Sequence, residues 1–312
     1  MIYLLLLAPI LFNITWIIDT FLTKLFKRKE NEWLIHNSIS SLMIVWWVIT
    51  LFVSLILFPF IYKTFATISV WATIILILAW VVYWLAARPY FKALYAEKIE
   101  NIIPLLQTIP IFSYVFGLIF LWEVITTQQI ILMIMIVVCT WLFSRNIHTK
   151  KRNIKWFIFA ISSSMLYGLS YVLFKQWWWE TIHVWLAFFR EHIGVTLACL
   201  AFALISKNRK STYSYFINKW LKFWILNVSN ELFYIAWIMI IGYLSLIYPV
   251  AIISTIWNWL QPIIWFIMVR LAYKILPSYF EREYSRKELI WKILLSILCF
   301  WLLWYFFYIS WI

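Results

Sequence analysis

The groups in this chain that can do chemistry are few, and most stand inside long apolar runs. Arg190 and Glu191 are adjacent about seven residues into one run, and Glu231 stands in the middle of another beside Asn227 and Asn230. Asp19 ends the first run and Lys175 the sixth, while Asn13, Gln107, Asn258 and Gln261 add amides that can hydrogen-bond a bound molecule. At 1.5 Å per helical residue, Arg190 and Glu191 lie roughly 10 Å deep. Ionisable groups at such depth are costly unless they face a cavity, a partner or one another. A carboxylate shielded from water can also carry and release a proton, which makes Asp19 and Glu231 candidates for proton coupling.

Each group also has a purely structural use. Arg190 can pair with Glu231 to hold two helices together. Asn258 and Gln261 can replace backbone bonds lost at Pro262. Asp19 and Lys175, near run ends, can reach the headgroups, and Glu123 reads as the cap of a helix junction at the surface. His36, His148, His183 and His192 have no second ligand at metal spacing. Cys139, Cys199 and Cys299 lie in apolar runs, are odd in number and read as packed thiols. The chain has no HExxH, no phosphate-binding glycine loop and no nucleophile triad order, so neither a cofactor nor a metal is expected.

The elements that position these residues are membrane helices. With 66% hydrophobic and 12% charged residues over 312, the chain holds more apolar surface than one soluble core can bury. Runs of about 20 residues place spans at Tyr3–Leu22, Ser38–Phe60, Ile68–Ala87, Ile102–Leu121 and Thr127–Phe143. A second set follows at Trp156–Phe174, Val184–Ile205, Phe223–Leu244, Val250–Val269 and Leu289–Tyr308. The first run has no basic leader and no small-residue cleavage site, so it is expected to remain as a span. Pro104 and Pro110 should kink the fourth span, and Pro262 loosens the ninth at a corresponding place.

Of the lysines and arginines in loops, 22 follow odd-numbered spans, and only Lys63 and Lys175 stand on the other side. That bias puts the odd loops in the cytoplasm and both termini outside. It also accounts for the net charge of +14 without nucleic acid as a partner. The fold expected is an all-α polytopic membrane protein of ten helices in two halves, 1–148 and 149–312. Five is odd, so the second half enters the membrane inverted.

The stretches IFLWEVITTQQ after the fourth span, FNITWIID in the first, YGLSYVLFK in the sixth and YPVAIISTIWNWLQPI at the ninth resemble the drug/metabolite transporter superfamily, specifically EamA-type transporters. The resemblance covers nearly the whole chain and rests on order and spacing. It implies two inverted five-helix repeats around a central cavity, a small-molecule substrate, no bound cofactor, and a monomer or homodimer in a bacterial-type inner membrane. Intramembrane lipid modification is the alternative, and a one-sided pocket holding acids would favour it. The chain departs from the family twice. Its loop charges put the termini outside where the family keeps them in the cytoplasm, and the family's glycine-glutamate pair stands here as Trp122-Glu123.

That second departure recurs. An average chain of this length carries roughly 22 glycines, but this one has 4 Gly and 24 Trp. Trp177, Trp178 and Trp179 fall where a short flexible loop is expected. Tryptophan belts would explain rings at span ends, yet Trp80, Trp237 and Trp265 lie inside runs. The counts therefore suggest a UGA codon that means glycine in the cell and is written here as tryptophan. Rings at Trp80, Trp84, Trp122, Trp257, Trp259 and Trp265 are then expected either to crowd helix crossings or to turn outward to lipid.

Overall fold

The computed structural model describes residues 2–27, 69–96, 105–144, 154–178 and 220–275, together with Ile102, Leu204 and short stretches within 48–59, 193–197 and 290–305. Among these residues the chain is almost entirely helical, without strands. Seven helices are bounded: α1 (Ile2–Lys27), α2 (Val70–Ala96), α3 (Ile109–Phe120), α4 (Thr127–Ser144), α5 (Ile154–Trp178), α6 (Trp220–Ile247) and α7 (Val250–Ile275). They fall on the first, third, fourth, fifth, sixth, eighth and ninth apolar runs. The stretches within 48–59, 193–197 and 290–305 are helical where described and fall on the other three. Segments Val70–Leu94, Lys155–Gln176 and Ile225–Leu244 are each long and apolar enough to cross a bilayer. A helix satisfies its own backbone in lipid, so composition of this kind folds as a helical membrane protein.

Three boundaries differ from the sequence reading. Helix α1 runs past Asp19 to Lys27, so Asp19 lies within the helix and is buried. It does not snorkel from a span end. Helix α2 continues through Arg88 and Pro89 to Ala96. Past Arg88, the Lys92 ammonium lies over the Phe159 ring at 5.3 Å, which accommodates the second charge of the helix. Helix α5 includes Trp177 and Trp178, which were expected in a loop.

The fourth run is broken rather than gently kinked. Residues 107 and 108 form a turn, and α3 starts afresh with Pro110 in its first turn. Proline is well placed there, since the missing N–H would have no helical partner. The break frees the Leu105 carbonyl, which three donors then satisfy. These are the Thr108 N–H at 3.1 Å, the Thr108 hydroxyl at 2.6 Å and the Ser164 hydroxyl of α5 at 3.0 Å, which shares its proton with the Ala160 carbonyl, also at 3.0 Å.

Among the described helices the most extensive packing joins α2 to α5 and α1 to α6, followed by α3 on α5, α1 on α7 and α3 on α7. Exchanging α1 with α5, α2 with α6 and α3 with α7 turns this set into itself. The α2–α5 seam shows how close approach is achieved with so little glycine. Ala72, Ala79, Ala86 and Ala93 recur every seventh residue along α2, and none has exposed surface. Opposite them the Ser170 and Ser163 hydroxyls donate to the Ala79 and Ala86 carbonyls, each at 2.9 Å. The two ladders run in opposite directions, so α2 and α5 are antiparallel. Small residues and interhelical hydroxyl bonds are the usual means of packing helices in lipid.

Two of the four glycines serve the same end. A Cβ at Gly168 would stand 2.9 Å from the Phe112 Cβ on α3. One at Gly194 would meet the Ile77 carbonyl at 2.7 Å and the Trp80 Cβ at 2.9 Å on α2. Tryptophan 80 therefore sits at a tight crossing, with its ring packed among Tyr83, Phe174 and Tyr234. Its neighbour Trp84 is buried too, whereas Trp122 is 82% exposed. The side chains of Trp257, Trp259 and Trp265 lie outside the described residues.

Candidate functional site

Among the described residues, polar side chains of the first five runs meet those of the last five at three places in particular, besides a hydrogen bond between Tyr83 and Tyr167. In the first, the Asn230 side-chain amide of α6 donates to Asp19 Oδ1 of α1 at 2.9 Å. Both residues are buried, as is the adjacent Glu231. Glu231 lies within electrostatic reach of Asp19, and so do the hydroxyls of Tyr90 on α2 and Tyr167 on α5. Helices from both halves thus surround one pair of buried carboxylates. The Tyr90 hydroxyl has no hydrogen-bond partner among the described residues. Tyr167 opens the stretch YGLSYVLFK in the sixth run, while Tyr90 stands just past the third run, beyond Ala87, where nothing in the sequence singled it out.

The second contact lies at the broken helix. Gln107 occupies the turn before α3, and its Nε2 faces Gln261 Oε1 of α7 at 3.5 Å, the long end of the hydrogen-bond range. Both side chains are buried. The two amides are 154 residues apart in sequence, and the α3–α7 packing brings them together.

The third contact is ionic. Lys175 Nζ at the end of α5 is 2.6 Å from Glu123 Oε1, just beyond α3. The same ammonium donates to the Tyr248 carbonyl at 2.8 Å, and Glu123 Oε2 accepts the Val250 N–H at 3.2 Å. A carboxylate at the first N–H of α7 is favoured by the unpaired donors and the dipole there. Glu123 is therefore a helix cap, as its position suggested, but its side chain is only 13% exposed. Lys175 is held by protein and does not reach out to a headgroup. Glu123, Lys175 and Val250 all adjoin connections between an even-numbered run and the next, so the contact agrees with the order of spans.

Other expected site residues stand apart. The Asn13 amide donates to the Pro9 carbonyl one turn back, at 2.7 Å, and so serves its own helix. Asn258 lies in α7 with its side chain outside the described residues, and Arg190 lies outside them altogether. Among the described residues no group of three His, Cys, Asp or Glu side chains is placed to hold a metal.

A narrow cleft of about 20 Å³ lies between α2, α5, α6 and the start of α7. Tyr171, Phe174, Ile238, Ile241, Val250 and Ile253 contribute most of its apolar wall, with Trp80 from α2. Ser170 and Ser254 also line it, but their hydroxyls donate to the Ala79 and Ala251 carbonyls. No model of a known protein family matches this chain, and no curated protein matches it either.

Proposed function

We propose that the chain is a ten-helix secondary transporter built of two inverted five-helix halves, 1–148 and 149–312. It moves a small metabolite, amino acid or amphipathic compound across a bacterial-type inner membrane by alternating access. The observation that carries this reading is that buried polar groups pair between the halves, Asp19 with Asn230 and Gln107 with Gln261. Polar contacts at such an interface can break and re-form as one half rocks against the other, and both pairs join residues of different halves. The exchange of packing partners between α1–α3 and α5–α7 supports the inverted repeat. Asp19 and Glu231 are the groups on which proton coupling would rest. Lipid modification would call for acids or a metal in a one-sided pocket, and among the described residues the cleft wall contributes no acid.

The test is uptake and efflux of a metabolite library by protein in proteoliposomes, with and without a pH gradient. Gradient-dependent movement of at least one compound, lost in Asp19→Asn or Glu231→Gln, is expected. Transport absent for every compound in both directions would end the proposal.

Glycine at Trp122 in the living cell belongs to the same reading. Its φ is 55°, and among the described residues it is the only non-glycine residue with positive φ. The resemblance places the family's glycine at that position.

A further inference from the structure

The Glu123–Lys175 pair stands on the rim of the apolar cleft. Val250, whose N–H Glu123 caps, lines the cleft, and so does Phe174, the neighbour of Lys175. One turn further in, Tyr171 and Ser254 continue the wall on α5 and α7. The pair ties together the end of α3, the end of α5 and the link between α6 and α7. Opening the cleft by parting α5 from α7 would have to break it.

We propose that the Glu123–Lys175 pair is a gate over the cleft between α2, α5, α6 and α7, and that the molecule it admits is uncharged with an aromatic or branched apolar body. The assignment of the occupant rests on the transport reading, but the gate does not. Both ions are mostly out of water, so their attraction is little screened, and each is also fixed by a backbone group of the α6–α7 link. Such a closure is firm but local. It holds through one ion pair and two hydrogen bonds, while the wall behind it is apolar. Among the described residues the wall carries no ionised side chain, and its two serines are already engaged with backbone carbonyls. A charged ligand would therefore lose its hydration without recompense.

The gate can be tested without knowing the substrate. Ser254→Cys places a thiol inside the cleft, and peptide mass spectrometry reads its modification by a small water-soluble methanethiosulfonate on protein in nanodiscs. Ser163→Cys, at the α2–α5 seam away from the cleft, is the control for loosening of the whole bundle. Glu123→Gln, which can still accept the Val250 N–H, and Lys175→Met should each speed modification at position 254 about tenfold. Position 163 should stay unchanged, and Lys175→Arg should keep the original rate. Unchanged modification at 254, equal acceleration at both positions, or Lys175→Arg behaving like Lys175→Met would each overturn the gate. With Glu123→Gln open, benzyl alcohol should protect position 254 and benzylamine, as its cation, should not. Equal protection by the two would overturn the uncharged occupant and leave the gate standing. A failed transport assay would leave both readouts intact.

Discussion

Trp122→Gly should stabilise the protein, although it removes the largest side chain in favour of none. The residue follows α3, where the chain reverses so that the Glu123 N–H returns to the Gly117 carbonyl at 3.2 Å. That reversal needs the left-handed conformation that Trp122 adopts at φ 55°. A residue with a Cβ is less stable there than glycine by about 1–2 kcal/mol. The indole is 82% exposed, so its removal forfeits little burial. Glycine adds unfolded-state entropy worth about 0.4–1 kcal/mol in the opposite sense. The net gain is then about 1 kcal/mol, or roughly 2 °C in the unfolding midpoint of a chain this size. Midpoints of wild type, Trp122→Gly and Trp122→Ala should be compared in the same detergent. Alanine keeps its Cβ and with it the strain, so it should not share the gain. A midpoint for Trp122→Ala as high as that for Trp122→Gly would refute the backbone argument. For the native protein, peptide masses decide the identity of the residue, and an intact tryptophan mass at position 122 would end the recoding proposal there.

A reporter fused after Ile312 should score as outside the cytoplasm, because 22 loop lysines and arginines lie on the opposite side; a cytoplasmic score would reject that orientation or the count of ten. Asp19→Asn and Glu231→Gln should each lower transport in proteoliposomes far more than folded yield, and full transport by both would show that the coupling site is elsewhere. Losing both hydroxyls at the broken helix, in Thr108→Val with Ser164→Ala, should lower stability by about 1–3 kcal/mol, since the Leu105 carbonyl then keeps one donor of three. Unfolding midpoints of the single and double variants check this, and an unchanged double variant would refute it.

What was legible in the sequence follows the range over which each signal acts. Apolar runs report local solvent, and helical residues fall on every run that was marked. Run ends are less legible, because the partner that lets a helix continue through a charge is distant in sequence. Asp19 ends a run by composition, yet α1 passes it, since Asn230 lies 211 residues away in the chain and 2.9 Å away in space. Lys92 is covered in the same way by Phe159. Glu123 and Lys175 were each visible singly, but their pairing is created by the packing of α3 on α5. The alanine stripe of α2 could have been found, because a seven-residue repeat of Ala72, Ala79, Ala86 and Ala93 is periodic in the sequence itself. The stripe also bears on the missing glycine, since alanine and serine meet directly where α2 crosses α5, through Ser163 and Ser170. Small-residue packing therefore does not require glycine at every crossing. Backbone conformation at Trp122 is the stronger sign, because alanine or serine would not relieve a left-handed turn, and only loss of the Cβ does.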